Sequence, residues 1–209
     1  TKWLNLNAEM KDSGVEWIGM IPKNWAMKKM KFIGKSITGL TYSPDEVSDT
    51  GVLVLRSSNI QKWQLDYKDN VYVNREIPVE LIIQEWDILI CSRNGSKSLI
   101  WKNVRLSNLT TETTFGAFMT VFRTKNSRFI SYVLRSNIFA SQIETFLTAT
   151  INQLTLGNLN SLIVPIPSDL EEQEDIADYL DKETKYINDM IAKIEKSIEL
   201  LEEYKTLMI

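Results

Sequence analysis

From Asp169 onward, apolar residues recur every seven positions at Leu180, Ile187, Ile194, Leu201 and Met208. With these at d, the a positions are Ala177, Thr184, Ile191, Ile198 and Lys205. Four heptads carrying such a seam predict a coiled coil. No Gly or Pro interrupts 169–209, so the pattern predicts one helix of about 60 Å at ~1.5 Å per residue. Ser168-Asp169-Leu170-Glu171 reads as its capping box, with Ser168 as N-cap. Glu171, Glu172, Glu174, Asp175 and Asp178 follow, where they complement the positive end of the helix dipole. The face made by Leu180, Ile187, Ile191, Ile194, Ile198, Leu201 and Met208 is expected to meet a partner helix. The alternative is an amphipathic helix lying on its own domain, against which its length argues.

The preceding 167 residues alternate differently. Trp86–Cys91 is a fully apolar run apart from Asp87 and predicts a buried strand; Val52–Leu55, Tyr67–Val73 and Thr113–Arg123 also read as strands. Asn94-Gly95 is a type I′ turn signal, predicting a hairpin from Cys91 to Leu99-Ile100-Trp101. Helical spacing covers Phe129–Phe146 and continues to Leu147, a short helix is expected over Asn158–Leu162, and Ile163-Val164 is expected to be a strand. Lys28–Lys35 is compatible with a basic helix ended by Gly34. Residues 1–21 read as an irregular arm closed by Pro22, with Trp17 and Trp25 as anchors. Pro165-Ile166-Pro167 forces an extended passage. The fold class is therefore α+β: one mixed globular domain over 1–167, then the long coiled-coil helix over 168–209.

Charge divides the chain at the same place. The net charge of −3 averages two unlike parts: 168–209 holds five Lys against thirteen Asp and Glu, and 1–167 holds nineteen basic against fourteen acidic residues. A basic domain is the footprint of a polyanion binder, although its excess is modest. The absence of His removes His-based acid–base chemistry and His metal ligation, and the single Cys91 removes disulfides and Cys-rich zinc sites. No apolar run reaches the ~20 residues of a membrane span, and the start lacks a signal-peptide core. A chain beginning at Thr1 is expected to have been processed or trimmed. No G-x-G-x-x-G, P-loop, Asn-Pro-Pro-aromatic or metal-nuclease signature occurs. Pro44-Asp45-Glu46 lacks a partner in the sequence. The chain reads as non-catalytic, with no metal.

The polar loops carry the functional signal. Arg93, Asn94, Ser96, Lys97 and Lys102 gather on and after one turn; Arg56, Ser57 and Asn59 follow a strand; Thr38, Thr41 and Tyr42 lie in a third loop. Arg and Asn can make bidentate contacts to guanine and adenine edges, whereas Ser and Lys suit phosphates. Any one of these loops alone reads equally as a solvated hairpin tip.

With these residues in view, the chain resembles the specificity subunit of type I restriction–modification systems. The resemblance lies in Lys11–Trp25, in Leu55-Arg56-Ser57-Ser58-Asn59-Ile60, and in Trp86–Ile90 with its Ser-Arg-Asn-Gly turn. It continues in Ile151-Asn152-Gln153-Leu154 and in Leu162–Pro167, followed by Leu170–Ala177. It implies a target recognition domain that binds one half of a bipartite site in double-stranded DNA, and adds Asn152 and Gln153 to the candidate DNA contacts. It also implies a long helix acting as spacer and docking surface for methyltransferase and restriction subunits. S-adenosylmethionine, ATP and Mg are expected on those partners, not on this chain. The family's usual members carry two recognition domains and two helices, and this chain has one of each. It is expected to be either a half-length subunit, homodimeric through antiparallel helices, or a fragment of a two-domain subunit. A bacterial or archaeal cytoplasm is implied. The rival readings are an interaction-only coiled-coil adaptor or decoy, and a small nuclease or methyltransferase.

Overall fold

Strand Ile88–Cys91 lies at the centre of the molecule, and its uninterrupted apolar run has a simple cause: both of its faces are covered. Ile88 and Ile90 enter a core shared with the helices, whereas Leu89 and Cys91 enter a second core between two sheets. Alternation is lost because neither face meets water. The computed structural model describes residues 8–146 and 152–208; Thr1, Leu147 and Ile151 lie outside them.

In chain order the strands before this point are β1 (Met10–Asp12), β2 (Met20–Pro22), β3 (Trp25–Lys29), β4 (Lys35–Thr38), β5 (Val47–Ser48), β6 (Val52–Leu55), β7 (Ile60–Gln61), β8 (Gln64–Leu65) and β9 (Val71–Val73). The central strand is β10 (Ile88–Cys91), followed by β11 (Asn103–Arg105), β12 (Thr113–Phe115) and β13 (Met119–Arg123). Then come α1 (Ser127–Arg135), α2 (Asn137–Phe146), α3 (Leu156–Ser161), β14 (Ile163–Pro167) and α4 (Leu170–Leu207). One four-stranded sheet has the order β11-β10-β13-β4 and is antiparallel throughout; the other, β12-β6-β9-β5, contains the parallel pair β6/β12. The fold is α+β, a sheet-rich domain followed by one long helix.

Tertiary pairing overrides several local signals. The Lys28–Lys35 stretch is not a helix. Lys28 and Lys29 end β3, which pairs with β14, and a 3-10 turn over Met30–Phe32 leads into β4. Gly34 permits this path, because a Cβ there would lie 2.5 Å from the Arg123 carbonyl oxygen. The 129–146 helix breaks at Ser136, whose extended backbone separates α1 from α2 and whose hydroxyl donates to the Val133 carbonyl (2.7 Å). Strand 67–73 shortens to β9, leaving Tyr67 exposed. Asn94-Gly95 does not form a tight type I′ turn, and Leu99-Ile100-Trp101 is not the return strand: a long loop containing a 3-10 turn at Lys97–Leu99 leads to β11, and it is Asn103–Arg105 that pairs with β10.

The two prolines extend the final strand rather than ending it. The Leu162 carbonyl accepts from Met30 N (2.9 Å), which sets the parity of β14. Pro165 and Pro167 therefore place their missing donors on the side away from β3. Trp25 is an anchor: its ring meets Phe129 edge-on at 6.4 Å, and its Nε1 donates to Glu172 (2.9 Å). Trp17 is 47% exposed and belongs to none of the core clusters among the described residues, while the arm around it forms the β1–β2 hairpin. Glu46 does find a partner, accepting from Arg75 at 2.8 Å.

Helix α4 packs on the domain over its first part and projects from it beyond Thr184. Asp169, not Ser168, is its N-cap and accepts from Glu171 N (3.1 Å); the Ser168 hydroxyl instead donates to the Asn24 carbonyl (2.6 Å). Ala177 is fully buried and Leu180 half-buried against the domain. Arg128 on α1 clamps this segment, pairing with Glu174 (3.1 Å), Asp178 (2.7 Å) and Asp181 (2.6 Å) over two turns, while the Tyr132 hydroxyl donates to Asp181. From Lys185 onward every described residue is exposed. Ile187, Ile191, Ile194, Ile198, Leu201 and Met208 stand in solvent, joined by Met190 and Tyr204 beside the seam. No helix among the described residues is long and apolar enough to cross a membrane.

Candidate nucleic-acid interface

Loops far apart in sequence meet beyond the ends of β4, β6, β10 and β13. Asn94 Nδ2 donates to Ser57 Oγ (3.2 Å) and Lys102 Nζ to the Ser57 carbonyl (3.4 Å), which ties the 56–59 turn to the loop after β10. The same loop is held by the 152–153 segment: Asn152 Nδ2 donates to the Gly95 carbonyl (3.0 Å), and Arg93 bridges Gln153. Thr41, Tyr42, Arg56 and Ser57 line one cavity together with Gly116 and Phe118. The three candidate loops and the 152–153 pair therefore share one face. Thr38 is exposed at the end of β4, paired with Thr120 and outside that cavity.

The side chains on this face differ in availability. Arg93, Ser96 and Lys97 are exposed, and among the described residues no carboxylate lies within ion-pair distance of Arg93, Lys97 or Lys102. Arg93 stacks its guanidinium over the Phe118 ring at 4.9 Å. Arg56 is partly neutralised by Asp69 at 2.8 Å. Ser96 Oγ shares a hydrogen bond with Ser98 Oγ.

Asn59 belongs to the framework, which corrects its place among the candidate base readers. Its side chain is fully buried; Oδ1 accepts from Arg56 N (2.9 Å), and Nδ2 donates to the carbonyls of Asp66 and Asp69. A side chain so occupied holds the 56–70 loop together and has nothing left for a base. Asn94 and Asn152 also spend donors on neighbouring loops but remain partly accessible. Cys91 is buried beneath the face, where burial pushes its thiol above its usual range, contrary to what a nucleophilic thiolate needs.

Phe118 was not visible as a functional residue in the sequence. Phe115-Gly116-Ala117-Phe118 reads as part of a β-rich run, yet Phe115 is fully buried and Phe118 is 57% exposed. What displays it is the tight crossing of two chain segments, a tertiary event. A Cβ on Gly39 would lie 2.2 Å from the Gly116 carbonyl oxygen, so only glycine fits where the loop after β4 meets the β12–β13 turn.

A sheet-rich domain with a loop-built polar face and a projecting helix defines a class of reader module, and the comparisons with known proteins agree. The chain belongs to the family of type I restriction modification DNA specificity domains, whose family model matches residues 22–200. Among solved structures, it is similar to a chain from a study of complex assembly and conformational transition in the type I R-M system, with a TM-score of 0.69 and 17% identity, over 91% of this chain and 45% of that one. The HsdS subunit from Thermoanaerobacter tengcongensis gives a TM-score of 0.63 at 16% identity, covering 88% and 42%. The S subunit of a type I restriction-modification system from M. genitalium gives 0.56 at 16%, covering 87% and 44%. The chain thus spans less than half the length of these structures. No curated protein sequence matches it.

Proposed function

We propose that this chain is a non-catalytic sequence reader that binds one half of a bipartite site in double-stranded DNA. The observation carrying this reading is the convergence of the Tyr42, Arg56, Arg93 and Asn152 segments on one face of a DNA specificity domain. The unpaired cations there suit the work. Lys97 and Lys102 meet phosphates and set register, Arg93 and Asn94 address base edges, and Thr38, Thr41, Ser57, Ser96 and Gln153 complete the contact surface. Base preference then resides in side-chain geometry at the loop tips, while the sheets hold the tips in place.

The projecting part of α4 is the assembly element. Its seam is exposed, and a helix with a wide apolar stripe in solvent is stabilised by a partner. A second copy packed antiparallel places two identical readers about a twofold axis and fits an inverted-repeat site. The acidic surface around the seam is the docking region for methyltransferase and restriction subunits. Those partners supply S-adenosylmethionine, ATP and Mg, for which this chain holds no role. Mapping methylated adenines in cells that carry this chain with its partner subunits tests the reading. A two-part motif with inverted-repeat halves is expected. Unmethylated DNA despite a formed complex would overturn it.

A further inference from the structure

The cavity on the loop face has a shape that edge reading does not require. It encloses about 600 Å³ between Tyr42, Arg56, Ser57, Asp69, Gly116 and Phe118, within the ~300–1,000 Å³ of small-ligand sites. Side chains that read a groove project into it, whereas this surface recedes between two aromatic residues. An aromatic wall offers a stacking face, and a base presents its own face only after it has left the helical stack.

The wall is built in advance. The Phe118 carbonyl accepts from Ser92 N, Arg93 N and Ser92 Oγ, each at 3.0 Å, which fixes the turn that displays the ring. Leu40 N donates to the Phe115 carbonyl at 2.7 Å, which fixes the opposite side. Arg56 is oriented by Asp69, whose carboxylate and carbonyl both take Nη2 (2.8 and 3.2 Å). That leaves Arg56 Nε buried with no acceptor among the described residues.

We propose that this cavity receives one nucleobase unstacked from the bound duplex, its face against Tyr42 and Phe118 and its edge beside Arg56 and Ser57. The inference rests on the DNA-reading function above and adds a local distortion of the DNA to it.

The test uses the full chain and 30-base-pair duplexes carrying the mapped site, in which each nucleotide's partner is replaced in turn by an abasic residue. Removing the partner of an extruded base removes its pairing cost. One position is therefore expected to bind about tenfold or more tightly than the intact duplex. Phe118→Ala, at an exposed position outside the core, is expected to keep its thermal midpoint and lose that gain. Its affinity for the intact duplex should fall roughly 5- to 150-fold, the equivalent of ~1–3 kcal/mol of stacking. If the intact duplex binds but no abasic partner tightens it, the cavity proposal is overturned while DNA reading stands. If no duplex binds, both fall. A Phe118→Ala variant that retains the gain would also overturn the stacking wall.

Discussion

Two arginine-bearing faces of the same domain have opposite fates. Toward the helices, Arg123 is bidentate to Asp87 and Arg128 is held by Glu174, Asp178 and Asp181. Toward the loops, Arg93 has only an aromatic ring and Lys97 only solvent around it. The first face has spent its charge on internal structure, and the second keeps it for a ligand. Net charge sees neither, since all four residues count the same in it. What separates a structural arginine from a binding one is the carboxylates that the fold brings to it.

Removing the internal pair tests the first fate most severely. Asp87 is 1% exposed and also accepts from Gln84 N, so Arg123→Ala leaves a buried carboxylate without its counter-ion. A loss of about 3–5 kcal/mol is expected, read as a fall in urea midpoint without a change of slope. A change below 1 kcal/mol would mean that water replaces the pair.

The exposed seam supplies the next effect. Ile191→Asp or Ile194→Asp places an unpaired charge where a partner helix packs, and light scattering should show the parent as a dimer and each variant as a monomer. A monomeric parent at tens of micromolar would contradict the assembly reading.

The Arg128 clamp should matter less, because its partners are half-exposed. Arg128→Ala is expected to cost about 0.2–1 kcal/mol and to loosen α4 from α1, measurable as faster amide exchange around Asp178–Thr184. Acid should do the same. Burial alone would raise the Asp181 carboxyl, but hydrogen bonds from Tyr132 and Arg128 hold it below its ordinary 3.8. A depressed carboxylate contributes stability that is fully present above that value and is lost as pH falls through the lower folded-state value. The clamp should therefore hold at neutral pH and weaken only as pH falls below the ordinary 3.8, and protection factors around Asp178–Thr184 that stay constant until the whole domain unfolds in acid would argue against it.

On the loop face the effects are smallest in stability and largest in recognition. Arg93→Ala should cost about 1–3 kcal/mol against the target and relax preference at one position, whereas Lys97→Ala should weaken all duplexes alike. Equal behaviour of both variants and the parent on target and random duplexes would show that the loops read nothing.

Signals that depend on one element were legible in the sequence. The heptad seam of α4, the run Ile88–Cys91 and the three polar loops all appear where the pattern places them. Signals that depend on two elements were not. Lys28 and Lys29 become strand because β14 arrives 134 residues later to pair with them. Asn59 disappears from the binding surface because a loop folds over it and consumes its amide. Phe118 enters that surface because Gly39 and Gly116 cross. The cap moved from Ser168 to Asp169 for the same kind of reason, since the Asn24 carbonyl, in the turn just before β3, takes the serine hydroxyl.

The central claim is that the loop face meets DNA through cations that the fold leaves unpaired. Fluorescence anisotropy of a labelled duplex, titrated with the full chain between 50 and 200 mM salt, addresses it directly. The account predicts a linear fall of log K with log salt, steeper by about 0.9 for each phosphate contacted, and a shallower line for Lys97→Ala by about one such unit. A line near zero slope for the parent, or an unchanged slope for the variant, would contradict it.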